Sequence, residues 1–86
     1  MHVWILKTFD RQDAYCDYDS EVIAVYLKSK FREARKHFKK LCDDRIEDGF
    51  EVNRWKNEKG YHFNCNNGSC TNHIFNYVGL IKMEVL

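Results

Sequence analysis

The sequence has no proline, only four glycines among its 86 residues, and no apolar run approaching the ~20 residues of a membrane span. Charged residues make up 31% of the chain but balance to a net charge of +1, so the total charge selects no partner. No P-loop, nucleophile-elbow or glycine-rich dinucleotide signature is present. These absences predict a non-enzymatic protein with no membrane partner.

We do not expect the N-terminal segment to be a secretory leader. Val3 to Leu6 is apolar, but no basic segment precedes it, and Lys7 and Asp10 follow it closely. We therefore expect a cytoplasmic protein whose four cysteines are reduced. The hydrophobic fraction of 44% and the aromatic fraction of 15% suffice for one core, which predicts a single domain over residues 1–86.

The hydrophobic pattern predicts strands that alternate or run apolar, and one helix. Ser29 offers an N-cap and Gly49 a C-terminal stop, so the helix is expected over about 29–47, with Cys42 on its apolar face. Gly79 is expected to break the last apolar segment into two strands. The predicted strands are 2–9, 21–27, 50–57, 61–65, 71–77 and 80–86.

These elements predict an α+β fold with a single helix packed on one face of a mainly antiparallel sheet, in the order β-β-α-β-β-β when the two parts of the last apolar segment are counted as one element. Residues 61–65 and 71–77 would form a hairpin extension at about 60–77. The run from Glu21 to Leu27 is almost continuously apolar, as in a central strand that is covered on at least one face.

The first two-thirds of the chain resembles a set of small uncharacterised phage and bacterial proteins. The matching features are the strand Met1-x-Val3-Trp4-Ile5-Leu6, the strand from Glu21 to Tyr26, and the segment from Phe50 to Trp55 after a charged helix. The resemblance implies a small α+β fold and a phage origin. It implies no reaction, and residues 60–77 depart from it.

The segment from His62 to His73 has the spacing His-x2-Cys-x4-Cys-x2-His, with Cys65 and Cys70 as its central pair. Zinc binds four such ligands in a tetrahedron, and short spacings are typical of small zinc sites. His62, Cys65, Cys70 and His73 are therefore candidate zinc ligands.

A regular hairpin argues against that convergence. If Cys65 lies opposite Cys70, then His62 lies opposite His73, and residues three apart on a strand point to opposite faces. One metal could reach all four only if a strand bulges near the tip. The alternatives are a Cys65–Cys70 disulfide, or free thiols beside a turn with no cofactor at all.

A second candidate site is the basic helix. Between Lys28 and Lys40 there are seven basic residues and one acid, and acids cluster on either side. This order opposes the helix dipole, so local stability does not explain it. A binding partner would explain the charge order, and it could be an acidic protein surface or nucleic-acid phosphates. The alternative is a solvated helix face that is held by i, i+4 ion pairs. The stripe comprises Lys28, Arg32, Arg35, Lys36 and Lys39.

The loop before the second predicted strand is acidic. Asp17 and Asp19 stand at alternate positions, but the central glycine and distal glutamate of a calcium loop are absent. We expect these two carboxylates to contribute to an acidic contact surface rather than to bind a metal.

The leading hypothesis is a phage-encoded protein that binds a host macromolecule and inhibits or redirects it in the host cytoplasm. The preferred partner is a host protein. The alternative is a zinc-stabilised nucleic-acid-binding module. A third hypothesis is a homodimer formed through the edge of the 61–77 hairpin.

Overall fold

The structure, a computed structural model, describes residues 1–12, 20–68 and 74–85, without the side chains of residues 11 and 12. A short 3-10 turn over Lys28–Lys30 precedes the helix. The elements are β1 (His2–Gln12), β2 (Ser20–Leu27), α1 (Phe31–Asp43), β3 (Glu51–Asn57), β4 (Gly60–Asn66) and β5 (Ile74–Glu84).

The strands form one five-stranded sheet in the spatial order β2-β1-β5-β4-β3, and every neighbouring pair is antiparallel. The first and last strands lie at its centre, paired continuously from His2–Glu84 to Gln12–Ile74. Because these two strands come from opposite ends of the described chain, much of the sheet depends on long-range contacts.

The predicted fold class was wrong and needs correction. We expected a single helix over about 29–47, packed on one face of a mainly antiparallel sheet, with elements in the order β-β-α-β-β-β. The observed molecule is dominated by the five-stranded sheet, and its one described helix is a short element between β2 and β3. The prediction made the helix too long and divided the last strand at Gly79, because the pairing of β1 with β5 joins distant parts of the chain that no local pattern connects.

The predicted break at Gly79 was also wrong. Residues 74–84 form one strand, in which Gly79 lies between Lys7 on β1 and His62 on β4. A Cβ at Gly79 would come 2.5 Å from the Tyr77 hydroxyl oxygen. The glycine is therefore explained by the close approach of a ring, and not by a turn.

The helix is shorter than predicted at both ends. It begins at Phe31 after Lys30, with no side-chain cap, and Ser29 lies in the preceding turn. It ends at Asp43, and the chain turns through Gly49, whose φ of 84° suits glycine. The carboxylates that follow oppose the dipole at a helix C-terminus, which is consistent with an early end.

The core lies between α1 and one face of the sheet, where Cys42 is buried as predicted. Trp4 and Tyr61 pack on Phe31, with ring centroids 4.8 and 5.9 Å away. The fully buried apolar cluster comprises Leu6, Ala34, Cys42, Phe63, Cys65, Val78 and Leu80. We call the opposite face of the sheet, which no described helix covers, the open face.

Within the described residues, no helix has the length and apolar character needed to cross a membrane.

Candidate functional site

The predicted basic stripe is divided between two places. Lys28 lies in the 3-10 turn beside Met1, His2 and Leu27, away from the rest. Arg35, Lys36 and Lys39 line a groove along α1, whereas Arg32 is exposed on the helix and does not line it.

This groove runs between α1 and β3 and has a volume of about 520 Å³. Four of its lining side chains are cationic and one is a carboxylate. We call it the cationic groove; it is lined by Arg35, Lys36, Phe38, Lys39, Cys42, Asp43 and Arg54. Its charge therefore exceeds that of the chain as a whole, which is +1.

The contribution of β3 was missed by the sequence analysis. Val52, Arg54 and Lys56 alternate along this edge strand and lie opposite Cys65, Phe63 and Tyr61 of β4, which belong to the helix side of the sheet. The strand alternation from Glu51 to Asn57 carried this signal, but only the pairing with β4 shows which face meets the helix.

Aromatic rings hold the cationic side chains in place. The Arg35 guanidinium lies 4.7 Å from the centre of the Tyr61 ring, and the Lys56 ammonium lies 5.2 Å from it. The Arg54 guanidinium lies 5.6 Å from the centre of the Phe63 ring. Cation–π contacts of this kind order long side chains that would otherwise move freely in solvent.

The floor of the cationic groove is neutral and apolar. Phe38 is partly buried, and Cys42 is almost fully buried against the core. Burial raises the pKa of the Cys42 thiol to about 12, so the sulfur stays protonated at neutral pH. The groove therefore combines an apolar floor with a cationic rim and contains no activated nucleophile.

The histidine–cysteine segment pairs in another register from the predicted one. Cys65 lies opposite Asn76, and His62 lies opposite Gly79, so the predicted pairings of Cys65 with Cys70 and of His62 with His73 were wrong. Both β4 and β5 have neighbours on each side and are interior strands of the sheet. Within residues 60–66 and 74–84, these strands therefore offer no free edge for the expected dimer.

His62 and Cys65 lie on opposite faces of the sheet. The Cys65 thiol is buried on the helix side, where its Sγ donates to the Arg45 carbonyl oxygen at 3.0 Å, and it forms no disulfide. Burial is the largest influence on its pKa, which is raised. Cys70 and His73, like Cys16, lie outside the described residues.

The ring of His62 is held by three neighbours on the open face. The Tyr77 hydroxyl lies 2.6 Å from Nδ1, and the Asn57 Oδ1 lies 2.9 Å from Nε2. The backbone N–H of Lys59 donates to that same Oδ1, which fixes the oxygen as an acceptor. His62 therefore donates from Nε2 and accepts from Tyr77, a neutral tautomer, while Trp55 stacks on it at 5.1 Å.

No group of three or more metal-ligating side chains is found within residues 1–12, 20–68 and 74–85. Because half of the proposed ligand set lies outside that part of the chain, the zinc site stays a prediction. Metal analysis of protein purified without an affinity tag would test it.

The His62 environment predicts a pH dependence of stability. Burial, followed by the positive charges of Lys7 and Lys59, lowers the pKa of His62 below the ordinary 6.5. The unfolded chain then binds more protons than the folded one, so the free energy of unfolding should fall as the pH drops through 6.5.

Urea denaturation at pH 7.5 and at pH 5 checks this expectation, with His62→Gln as the matched variant. The wild type should lose more stability between the two pH values than the variant does. An equal loss in both proteins would assign the acid sensitivity to other groups.

The predicted acidic contact surface was assigned to Asp17 and Asp19. Asp17 and Asp19 lie outside the described residues. Nearby in the sequence, Asp10 on β1 forms a two-point ion pair with Arg45, whose Nε and Nη2 each lie 3.2 Å from a carboxylate oxygen. Asp10 thus contacts the chain that follows α1.

In comparisons with known proteins, no protein family, no curated protein and no solved structure matches the chain. The resemblance to small phage and bacterial proteins stays a prediction.

Proposed function

We propose that the protein is a non-enzymatic binding module whose cationic groove takes an acidic segment of a partner protein. The observation that carries the proposal is the combination of an apolar floor at Phe38 and Cys42 with a rim of four cationic side chains. Such a groove matches a peptide that presents an apolar anchor flanked by carboxylates.

A protein segment suits this groove better than nucleic acid. Binding of single strands needs free aromatic faces on which bases stack, and the Tyr61 ring in this region is already contacted by Arg35 and Lys56. Trp55 is half-exposed, but it lies on the open face and stacks on His62. The net charge of +1 is also low for a nucleic-acid binder.

The chemistry of the described side chains supports a binding role over a catalytic one. The buried thiols of Cys42 and Cys65 have raised pKa values, which disfavours the nucleophilic thiolate. Both ring nitrogens of His62 are engaged by Tyr77 and Asn57. We therefore keep the non-enzymatic assignment as part of the proposal.

The wider role follows from the partner. If the acidic segment belongs to a host protein, a phage-encoded module seated on it would inhibit or redirect that protein in the host cytoplasm. The two buried free thiols, Cys42 and Cys65, support a reducing compartment.

Capture of host proteins from lysate tests the proposal, with charge reversals on the two walls of the groove. Arg35→Glu and Arg54→Glu should each weaken capture about tenfold, which corresponds to ~1.4 kcal/mol. Lys82→Glu is the control, because Lys82 is exposed on β5 and is not among the lining residues of the groove.

Equal capture by all four proteins would rule out the groove as the binding surface. Retention of nucleic acid, with steep salt dependence and about one zinc per chain, would instead favour the zinc-stabilised nucleic-acid-binding module.

A further inference from the structure

The open face carries an aliphatic surface that the cationic groove does not use. Strand register places Leu27, Val3 and Met83 in one row across β2, β1 and β5, and Val25, Ile5 and Ile81 in the next. Val22 lies opposite Lys7 at the border of this surface. We call these residues the aliphatic patch: Val3, Ile5, Val22, Val25, Leu27, Ile81 and Met83.

The patch is well exposed for a surface that contains no charge. Val22 and Val25 are each 59% exposed, Leu27 63% and Met83 51%, while the other three members are partly buried. Together they present on the order of 500 Å² of apolar surface, near the upper end of what monomeric proteins leave uncovered. Singly exposed aliphatic residues need no explanation, but a contiguous set of seven does.

The sequences of β1 and β2 indicate that both of their faces are covered. Val3 to Leu6 and Val22 to Leu27 are continuous apolar runs, whereas a strand with one solvated face alternates apolar and polar residues. Helix α1 covers only the face that carries Leu6 and Ala24. The side chains that alternate with them on these strands are those of the patch, so the runs are explained only if a second layer packs there.

We propose that this second layer is the open face of a second copy of the chain, packed across a twofold axis. A twofold interface requires a surface that complements itself, and an uncharged aliphatic patch meets its own copy without opposing like charges. Surfaces that bind unrelated proteins mix polar and apolar groups, while homodimer interfaces are more apolar. Two sheets packed in this way lie ~10 Å apart.

The area is consistent with a dimer. A standard interface takes ~800 Å² from each partner, and the patch supplies more than half of that before its surroundings are added. Lys7 borders the patch and can extend its aliphatic stem over it. In this dimer the two cationic grooves face outward on opposite sides, so the inference does not rest on the proposed binding function.

Light scattering coupled to gel filtration tests the inference on the full chain. The wild type should run at twice its mass of 10.4 kDa in the micromolar range. Val25→Lys and Leu27→Lys should each raise the dimer dissociation constant at least tenfold. Ile46→Lys is the control, because Ile46 is an exposed aliphatic residue in the turn after α1 and should leave the dimer intact.

Circular dichroism of each variant verifies that the sheet is retained, and Val25→Thr replaces Val25→Lys if the lysine variant does not fold. A wild type that stays monomeric at high micromolar concentration would overturn the inference. A dimer that persists in both Val25→Lys and Leu27→Lys would overturn it as well, since the subunits would then join elsewhere, such as along the outer edge of β2.

Discussion

Replacing Gly60 with alanine should lower the free energy of unfolding more than a Gly→Ala substitution at any other glycine in the described chain. Gly60 has a φ of 142°, where an L side chain is strained, and a Cβ there would overlap the backbone carbonyl oxygen of Leu80. Strain of this kind costs ~1–2 kcal/mol. The steric overlap adds ~1–3 kcal/mol, because a backbone atom in a paired strand cannot move aside.

Gly49→Ala is the matched control. Gly49 also has a positive φ, 84°, but nothing lies within 4 Å of the position that its Cβ would occupy. Urea denaturation should therefore show a loss of roughly 3 kcal/mol or more for Gly60→Ala and only ~1–2 kcal/mol for Gly49→Ala. Equal losses would mean that β4 and β5 separate easily at this point.

The Gly60 result also bears on how the sheet is assembled. Gly60 pairs with Asn57 on β3 and with Ile81 on β5, so it lies where three strands meet. The Lys82 amide donates to the Lys59 carbonyl oxygen at 2.8 Å just beside it. A change at this point should disturb the edge strand β3, and with it the wall of the cationic groove that carries Arg54.

Local sequence patterns predicted the positions of most strands, because alternation and β-branched residues are properties of short segments. They also predicted that Cys42 would be buried on the apolar face of the helix. They could not predict which strands are neighbours. The pairing of β1 with β5 joins residues that are between 62 and 82 positions apart, from Gln12–Ile74 to His2–Glu84, and no short segment contains that information.

The errors have specific physical causes. Glycine usually interrupts strands, but Gly79 lies within β5. The absence of a side chain there leaves room for the Tyr77 ring. The symmetry of the segment from His62 to His73 suggested a hairpin centred between the cysteines, whereas β4 and β5 pair Cys65 with Asn76. In both cases a tertiary contact decided the outcome.

The sequence predicted one of the two walls of the cationic groove. Arg35, Lys36 and Lys39 belong to a charge pattern within one helix, which the sequence displays directly. Arg54 joins them only because β3 is an edge strand whose one face meets α1 through the side chains of β4. A helical wheel could not have found the second wall of the groove.

Phe63→Ala should produce a stability loss of about 3–5 kcal/mol, the usual cost of removing a buried phenylalanine ring. Phe63 is fully buried and is the largest such side chain in the molecule as described. It stands between Arg54 on β3 and Val78 on β5. A domain of this size has a total stability of roughly 5–10 kcal/mol, so the variant should be close to unfolding at room temperature.

Trp55→Ala provides the comparison, since it removes a larger ring from the neighbouring strand. Trp55 is 42% exposed and contacts His62 on the open face, so its loss should cost only ~0.5–1.5 kcal/mol. Urea midpoints of the two variants measure the difference. If Trp55→Ala were the more damaging, the stability of the domain would depend on the open face rather than on the core beneath α1.

The cationic groove rests on that core through the contact between Arg54 and the Phe63 ring, so Phe63→Ala should also weaken partner capture in the fraction that stays folded.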